Sequence, residues 1–358
     1  MGDINIMTEN EVINKIYGYL KNQNEHIIME NMTNESVSLF WENISVLYKA
    51  GVLQNNKAVK RFCDKLRIRT GYDRDQCLQG LSEMVFWLYA IKNSYTYEMD
   101  KKLKNQENTD VDIQLLKYGY KFNIEIKTPK QVKEDDDKVL GVNIPFRSFK
   151  NKDTQKTYID KLEKEVFPQI INKPDGMYTG YNISKINDNK VIEYLRSCQT
   201  KFNYEANSIN VLVISVSSQQ MQDYWGYIYN PFTGIFTEDF KNSFYDKSGK
   251  DVKHNDFDAV DVIYLTNIVE GHIRKIEGFD PWKLENYCGI LCINPFSVRT
   301  KDKKDIEVYE KLLNILPNDT ILFEKEHDQA NQRGKEMNIS VDPIFMQEYI
   351  SEHYPKLI

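Results

Sequence analysis

One segment constrains the fold more than any other part of the chain. Residues 109–127, TDVDIQLLKYGYKFNIEIK, alternate apolar and polar side chains with a period of two on both sides of Tyr118-Gly119. This alternation is typical of strands with one buried face, and a glycine between two such runs indicates a tight turn. We therefore expect a β-hairpin whose strands cover residues 110–116 and 121–127.

The chain before this hairpin has helical spacing instead. Apolar residues in region 1–75 recur every three or four positions, and Gly51 is placed as a helix stop. Asp73 or Asp75 can cap a further helix that runs to about Asn93. We expect a helical N-terminal region followed directly by the hairpin.

After the hairpin the patterns alternate between helix and strand. The polar, acidic run over residues 134–137 predicts a solvated loop. Short apolar runs rich in β-branched residues predict buried strands, and longer periodic runs predict helices. The helices are expected at about 154–172, at 188–203 and in most of the chain from about 300, and the strands at 209–216, 258–265 and 289–294.

The second hairpin strand carries an acid and a base on one face. Ile124 and Ile126 share one side of the strand, so Glu125 and Lys127 share the other. Glu125-x-Lys127 is the single Glu-x-Lys in the sequence, and it lies within an alternating apolar strand. A carboxylate and an ammonium are therefore expected side by side at the edge of a core.

The first hairpin strand adds two aspartates, Asp110 and Asp112, also on one face. An antiparallel partner can bring Asp112 towards Glu125, and two converging carboxylates repel each other unless a cation lies between them. Oxygen ligands of this kind suit Mg²⁺ or Mn²⁺. We favour Asp112 because the apolar Ile113 and Leu115 continue its strand, and Asp110 stays open as the alternative.

A third acidic group comes from the preceding helix. Glu83 lies in GLSEMVFWLYA, and Gly80, Phe86 and Trp87 are its neighbours one helical turn away. A carboxylate among such residues needs a partner if it is buried. Gly80 leaves room for a neighbouring group to approach, whereas an exposed Glu83 is the alternative.

Taken together, these residues resemble the PD-(D/E)XK nuclease superfamily. The order is a helix with Glu83, a strand with Asp112, a strand with Glu125-x-Lys127, then a helix and a buried strand. The resemblance covers about 76–217. It implies an α/β (α+β) fold with a restriction-endonuclease-like αβββαβ core and a mixed sheet. It also implies Mg²⁺- or Mn²⁺-dependent hydrolysis of phosphodiester bonds.

The resemblance also implies a role for each matching residue. Asp112 and Glu125 would be metal ligands, Lys127 the catalytic lysine and Glu83 an accessory acid. The family's proline is missing, because Thr109 or Val111 precedes the candidate aspartates, so Asp110 is a further candidate ligand. The resulting organisation is a helical N-terminal region (1–75), a nuclease-like core (76–235) and a C-terminal extension of strands and helices (236–358).

Charge and composition bear on the partner and the compartment. The net charge is −6, which does not favour nucleic acid, but residues 46–75 hold eight basic and three acidic side chains. We expect an endonuclease that cleaves DNA or, as the second choice, RNA, in restriction, phage defence or repair. A homodimer or a partner protein stays open. Five scattered cysteines predict a reducing, cytoplasmic location. No apolar run approaches the ~18 residues of a membrane span, and no signal peptide is visible.

Two other functions fit part of the same pattern. A nuclease-like fold can serve as a non-catalytic nucleic-acid-binding or protein-assembly module. Paired carboxylates also serve glycoside hydrolases, but that chemistry gives Lys127 no role. Lys201 and Gln199 could face a phosphate, although a helix surface is the simpler expectation. The dispersed histidines do not predict a histidine metal site.

Overall fold

The chain folds into a mixed α and β structure whose described part is discontinuous in sequence. The computed structural model describes residues 6–23, 25–30, 33–104, 110–130, 141–146, 152–166, 168, 180–185, 188–230, 234–237, 252–302, 307–337, 341 and 344–358. The expected acidic loop at 134–137 lies outside these residues.

Helices occupy the first part of the chain and most of the last part. They are α1 Glu9–Leu20, α2 Ile27–Glu30, α3 Asn34–Lys49, α4 Asn56–Lys65, α5 Arg74–Lys92, α6 Lys152–Lys161, α7 Asp188–Lys201, α8 Ser218–Tyr229, α9 Ile268–Ile273, α10 Val298–Asp302, α11 Glu307–Leu313, α12 Thr320–Met337 and α13 Phe345–His353. A π-helical turn, Leu162–Val166, continues α6.

Helix ends follow local rules that the sequence makes visible. Asp73, and not Asp75, caps α5, because its side chain accepts a hydrogen bond from the backbone N–H of Gln76. Gly51 follows the end of α3 with a φ of 87°, a left-handed conformation that glycine adopts without strain. The expected helical N-terminal region and the helix running to about residue 93 are both confirmed.

The strands form one six-stranded sheet and one separate pair. They are β1 Thr96–Lys102, β2 Asp110–Lys117, β3 Tyr120–Lys127, β4 Gly141–Phe146, β5 Gly180–Lys185, β6 Ser208–Ser215, β7 Val262–Thr266 and β8 Gly289–Ile293. The sheet order is β1-β2-β3-β6-β7-β8, and β4 pairs with β5. In the large sheet β3, β6 and β7 run parallel to one another, and the other neighbours are antiparallel.

The hairpin forms as expected and fixes the register of the sheet. Tyr118 and Gly119 both have positive φ, which gives the two-residue turn the twist that antiparallel strands require. Ile113 pairs with Ile124, and both are fully buried. A one-residue slip would expose such side chains at about 1.5–3 kcal/mol each, so the register is strongly specified.

Two hydrophobic layers cover opposite faces of the sheet. One joins α1, α3, α4 and α5 to Ile113, Ile124 and Ile126, and the other joins α7, α8 and α13 to Leu212 and Ile214. The first layer reaches the C-terminal part of the chain, where the rings of Phe40 and Trp282 lie 5.5 Å apart. Strands β7 and β8 continue the same sheet. How the chain divides into domains at residues 75 and 235 stays a prediction.

Several elements differ from the expected ones. Strand β7 begins at Val262 rather than at 258, because Asp261 is held by the backbone N–H of Asn210 and by Arg299. Strands β1, β4 and β5 had no expected counterpart from periodicity. In β1 the residues are only partly buried, as suits an edge strand, so its pattern carries no strong apolar alternation.

Candidate functional site

A cavity opens where β2 separates from β3. The ladder between these strands ends at the pair Ile113–Ile124, so Asp110 and Asp112 lie beyond the last paired residues. The cavity measures about 490 Å³. Its lining comes from α4, α5, β1, β2, β3 and α7 and consists mainly of charged side chains: Arg61, Asp64, Lys65, Arg67, Gln76, Gln79, Gly80, Glu83, Asp100, Asp110, Asp112, Glu125, Lys127 and Lys201. All five residues singled out from the sequence therefore line one cavity.

Asp112 lies at the centre of this group. Its Oδ2 accepts a hydrogen bond of 2.7 Å from the backbone N–H of Ile126, which replaces a ladder bond lost where the strands separate. Burial raises the pKa of Asp112 well above its usual range, and the nearby carboxylates of Glu83 and Glu125 raise it further. Lys65 and the Ile126 N–H offset part of this effect. A cation placed beside Asp112 would favour its ionised form.

Glu125 is 1% exposed and is held by two lysines through a single oxygen. Lys127 approaches its Oε1 to 2.7 Å, and Lys201 from α7 donates to the same atom at 2.6 Å. The other oxygen, Oε2, is buried and has no hydrogen-bond partner among the described residues. A buried carboxylate oxygen without a partner is costly, so the site is incomplete at this atom.

Lys127 is fixed as a cation. Burial alone would lower its pKa, but the carboxylates of Glu125 and Asp112 outweigh burial and raise it. Its side chain is 19% exposed, so the ammonium keeps access to the cavity. Lys127 can therefore offer positive charge and hydrogen bonds there, but in this state it cannot accept a proton.

Glu83 is buried and paired, as its helical neighbours suggested. Its Oε2 accepts a hydrogen bond from Lys65 of α4, and its Oε1 accepts one from Gln79 at 3.4 Å. Gly80 explains the approach of α4, because a Cβ there would lie 2.5 Å from the backbone oxygen of Lys65. The space left by Gly80 is thus filled by the backbone of α4, which brings Lys65 to Glu83.

Asp110 lines the same cavity but has a looser place. It stands opposite Lys102 at the end of the β1–β2 ladder and, like Asp112, is partly buried. Asp112 is the better-placed aspartate, because it has the backbone hydrogen bond and the electrostatic contact with Glu83 and Glu125.

Three further charged residues, Asp100, Lys65 and Lys201, line the site, and the sequence does not mark Asp100 or Lys65 as site residues. Asp100 of β1 binds Arg61 at 2.5 Å and Lys65 at 3.3 Å. Its φ of 48° is left-handed, a costly conformation for a residue other than glycine and one that clusters at functional sites. In the sequence Lys65 is only one of many basic residues. Lys201 could face a phosphate or lie on a helix surface by sequence alone, and the structure places its ammonium group in the cavity, 2.6 Å from Glu125. Gln199 does lie away from the site, where it contacts Asp258 and Ala259.

The donor set fits a divalent metal ion in part. The unpartnered Oε2 of Glu125 and the Oδ1 of Asp112, which is 4.0 Å from the Lys65 ammonium, are hard oxygen ligands of the kind that Mg²⁺ prefers. The predicted ligands are not gathered tightly, however. Among the described residues, three ligand atoms within 4.8 Å of one another occur at Glu326, Glu352 and His353 on α12 and α13, and not at Asp110, Asp112 and Glu125. Lysine ammonium groups stand between the site carboxylates instead.

The arrangement combines negative charge that can hold a cation with positive charge that can hold an anion. The carboxylates of Glu83, Asp112 and Glu125 surround the inner part of the cavity, and Lys127 and Lys201 lie beside Glu125. Such a combination suits a reaction in which a phosphate is bound and its developing charge is stabilised.

None of the helices in the described ranges is both long and apolar enough to cross a membrane. In comparisons with known proteins, no family model, no curated protein and no solved structure matches this chain. The geometry of the cavity is therefore the basis on which a function can be inferred.

Proposed function

We propose that the chain is a metal-dependent phosphodiester hydrolase of the PD-(D/E)XK type, acting on nucleic acid. The observation that carries this proposal is the meeting of Glu83, Asp112, Glu125 and Lys127 around one cavity. The four residues come from three separate elements. If Glu125 and Lys127 formed only a surface ion pair, that pair would not explain why Glu83 and Asp112 lie beside it.

The order of elements supports the same proposal. Helix α5 is followed by β1, β2 and β3, then by α7 and β6, with β6 parallel to β3. This succession supports an αβββαβ core with a mixed sheet, in which β4, α6 and β5 would be an insertion. The remaining helices and strands are additions around that core.

Each residue has a role that follows from its surroundings. Asp112 and Glu125 each have an oxygen that can ligate Mg²⁺ or Mn²⁺. Asp110 is a further candidate ligand, and Glu83 supplies additional negative charge. When bound, the ion would activate water and neutralise charge on the phosphate. Lys127 is held as an ammonium, so it is suited to orient the water or to stabilise the anionic transition state.

A double-stranded or single-stranded DNA is the substrate we propose first, with RNA second. Arg61 and Arg67 line the cavity beside the carboxylates. Arg61 lies on α4, where Lys57 and Lys60 are exposed, and Arg67 follows the end of that helix. Basic side chains along the approach to a site provide the phosphate contacts that nucleic-acid binding requires, despite the acidic total charge.

A specific observation favours a second candidate, a non-catalytic nuclease-like module that binds nucleic acid or a partner protein. Lys65 and Lys201 already neutralise Glu83 and Glu125, so the charges of the cavity are largely balanced without a metal ion. Carboxylates paired with lysines in this way can be stable without a metal ion and without catalysing a reaction.

A cleavage assay separates the two candidates. Wild type, Asp112→Asn and Lys127→Met are incubated with DNA and RNA, single- and double-stranded, in Mg²⁺ or Mn²⁺. Asparagine keeps an acceptor for the Ile126 N–H, so Asp112→Asn removes charge with little effect on folding. We expect both variants to lose about a hundredfold or more in cleavage rate.

Lys121→Met is the matched control for this assay. Lys121 lies on the same strand as Lys127, but it is 45% exposed and pairs with Glu205 away from the cavity. Its cleavage rate should equal that of wild type. Cleavage that survives in Asp112→Asn and Lys127→Met would contradict the nuclease assignment, and wild type that binds nucleic acid without cutting it would favour the module.

A further inference from the structure

The ammonium group of Lys65 occupies an unusual position for a helix side chain. It donates to Glu83, lies 3.3 Å from Oδ1 of Asp100 and lies 4.0 Å from Oδ1 of Asp112. The three carboxylate side chains are between 5% and 14% exposed, and that of Lys65 is 22% exposed. One monovalent cation therefore stands among three poorly solvated carboxylates.

The surrounding structure holds Lys65 in this position. Gly80 permits the backbone of α4 to touch α5 at Lys65, and the face of the Trp87 ring lies 5.4 Å from the ammonium. Asp100 turns towards Lys65 from a left-handed backbone conformation, and Arg61 holds its other oxygen. Strain and close backbone contact at one point indicate that the position of this cation is specified by the fold.

We propose that Lys65 is an internal counter-cation, a positioning residue that holds Glu83, Asp100 and Asp112 together until a divalent metal ion displaces its ammonium group. The inference rests on the proposed function. Oδ1 of Asp112, one of the two oxygens proposed as metal ligands, lies 4.0 Å from this ammonium group, and two cations this close repel each other. The long lysine side chain can turn into the cavity that it already lines, where a phosphate would meet it.

Because the metal ion must displace the ammonium group of Lys65, it binds more weakly than it would bind to the carboxylates without Lys65. Part of the attraction between the metal ion and the carboxylates is offset by the loss of the contacts that Lys65 makes. Removing the ammonium should therefore tighten metal binding, although it leaves the metal-free protein less stable. Loss of a merely structural lysine would lower stability without tightening metal binding.

Isothermal titration calorimetry with Mn²⁺ tests this inference on wild type and Lys65→Met. Methionine keeps most of the length of the side chain and removes its charge. We expect the dissociation constant for Mn²⁺ to fall by about tenfold or more, and the melting temperature of the metal-free variant to drop. Lys60→Met, an exposed change on the same helix that does not line the cavity, should leave both values unchanged.

The variant Asp112→Asn separates a failure of the Lys65 proposal from a failure of the metal-site proposal. Equal Mn²⁺ affinity in wild type and Lys65→Met, abolished by Asp112→Asn, would overturn the role of Lys65 and leave the metal-dependent site intact. Absence of Mn²⁺ binding in both wild type and Lys65→Met would overturn the metal site itself.

A second measurement uses wild type alone, so it does not require that any variant folds. Reductive methylation of lysines with formaldehyde, followed by peptide mass spectrometry, reports how accessible each ammonium group is. We expect labelling of Lys65 to rise several-fold when Mg²⁺ is added, while labelling of Lys60 stays constant. Labelling of Lys65 that does not respond to Mg²⁺ would contradict displacement.

Discussion

At the scale of single residues, polar groups buried without partners mark where this protein departs from a fully satisfied core. Oε2 of Glu125 is one such atom, and its residue lines the charged cavity, where a cation could pair with it. His272 of α9 is another kind of case. Both of its ring nitrogens lack partners in the described part of the chain, and its ring packs 5.0 Å from that of Trp282. The first group points to function, and the second affects stability.

His272 should make the protein sensitive to acid. Burial lowers the pKa of His272 from 6.5 to about 3, so the unfolded chain binds this proton more tightly than the folded chain does. The free energy of unfolding therefore falls as the pH drops from 6.5 towards 3. In His272→Leu this part of the pH dependence should disappear. Between pH 7 and pH 5, wild type should lose about 2 kcal/mol more than the variant.

Urea unfolding at the two pH values measures this difference. Leucine leaves no polar atom in the site of the unpaired imidazole, so the variant should be at least as stable as wild type at pH 5. If both proteins lose the same free energy between pH 7 and pH 5, the imidazole is not held neutral in the folded state.

At the scale of secondary-structure elements, the contact between α4 and α5 decides whether the site is assembled. The backbone oxygen of Lys65 at the end of α4 lies where a Cβ of residue 80 would stand, at 2.5 Å. Only a glycine allows the two helices this close, and their approach brings the ammonium of Lys65 to Glu83. A helix–helix distance is thus linked directly to the charge balance of the cavity.

Gly80→Ala should push the helices apart. Alanine is ordinarily favoured over glycine inside a helix, but overpacking against backbone atoms costs about 1–3 kcal/mol, so we expect net destabilisation. Gly226→Ala in α8 is the matched control. A Cβ there meets nothing within 4 Å, so this change should stabilise the protein by about 0.5–1 kcal/mol. Urea unfolding gives both values, and a Gly80→Ala protein as stable as Gly226→Ala would contradict the close contact.

At the scale of the whole molecule, short-range patterns in the sequence were sufficient for some features and not for others. The hairpin, the cap at Asp73 and the stop at Gly51 follow from periodicity and from the chemistry of a few neighbouring residues. Glu125 and Lys127 stand out because they form the single Glu-x-Lys of the sequence and share the polar face of an alternating strand. Each of these signals spans only a few residues along the chain.

The remaining features depend on distant residues. Lys65 and Lys201 enter the site from α4 and α7, and nothing in their local sequence distinguishes them from surface lysines. Asp100 needs a left-handed conformation that its neighbours do not signal. Strand β1 is held as an edge by β2, and its mixed, half-exposed residues carry no clear period. Tertiary contacts, which a local pattern does not record, specify these parts.

The central claim also concerns the whole molecule. It is that a divalent metal ion binds among the carboxylates where β2 and β3 separate. Crystals grown with Mn²⁺ and measured for its anomalous scattering locate the ion directly. We expect a peak whose ligands include oxygens of Asp112 and Glu125 at distances of about 2.5 Å or less. A crystal with Mn²⁺ bound only at Glu326, Glu352 and His353, or with none in the cavity, would contradict the claim.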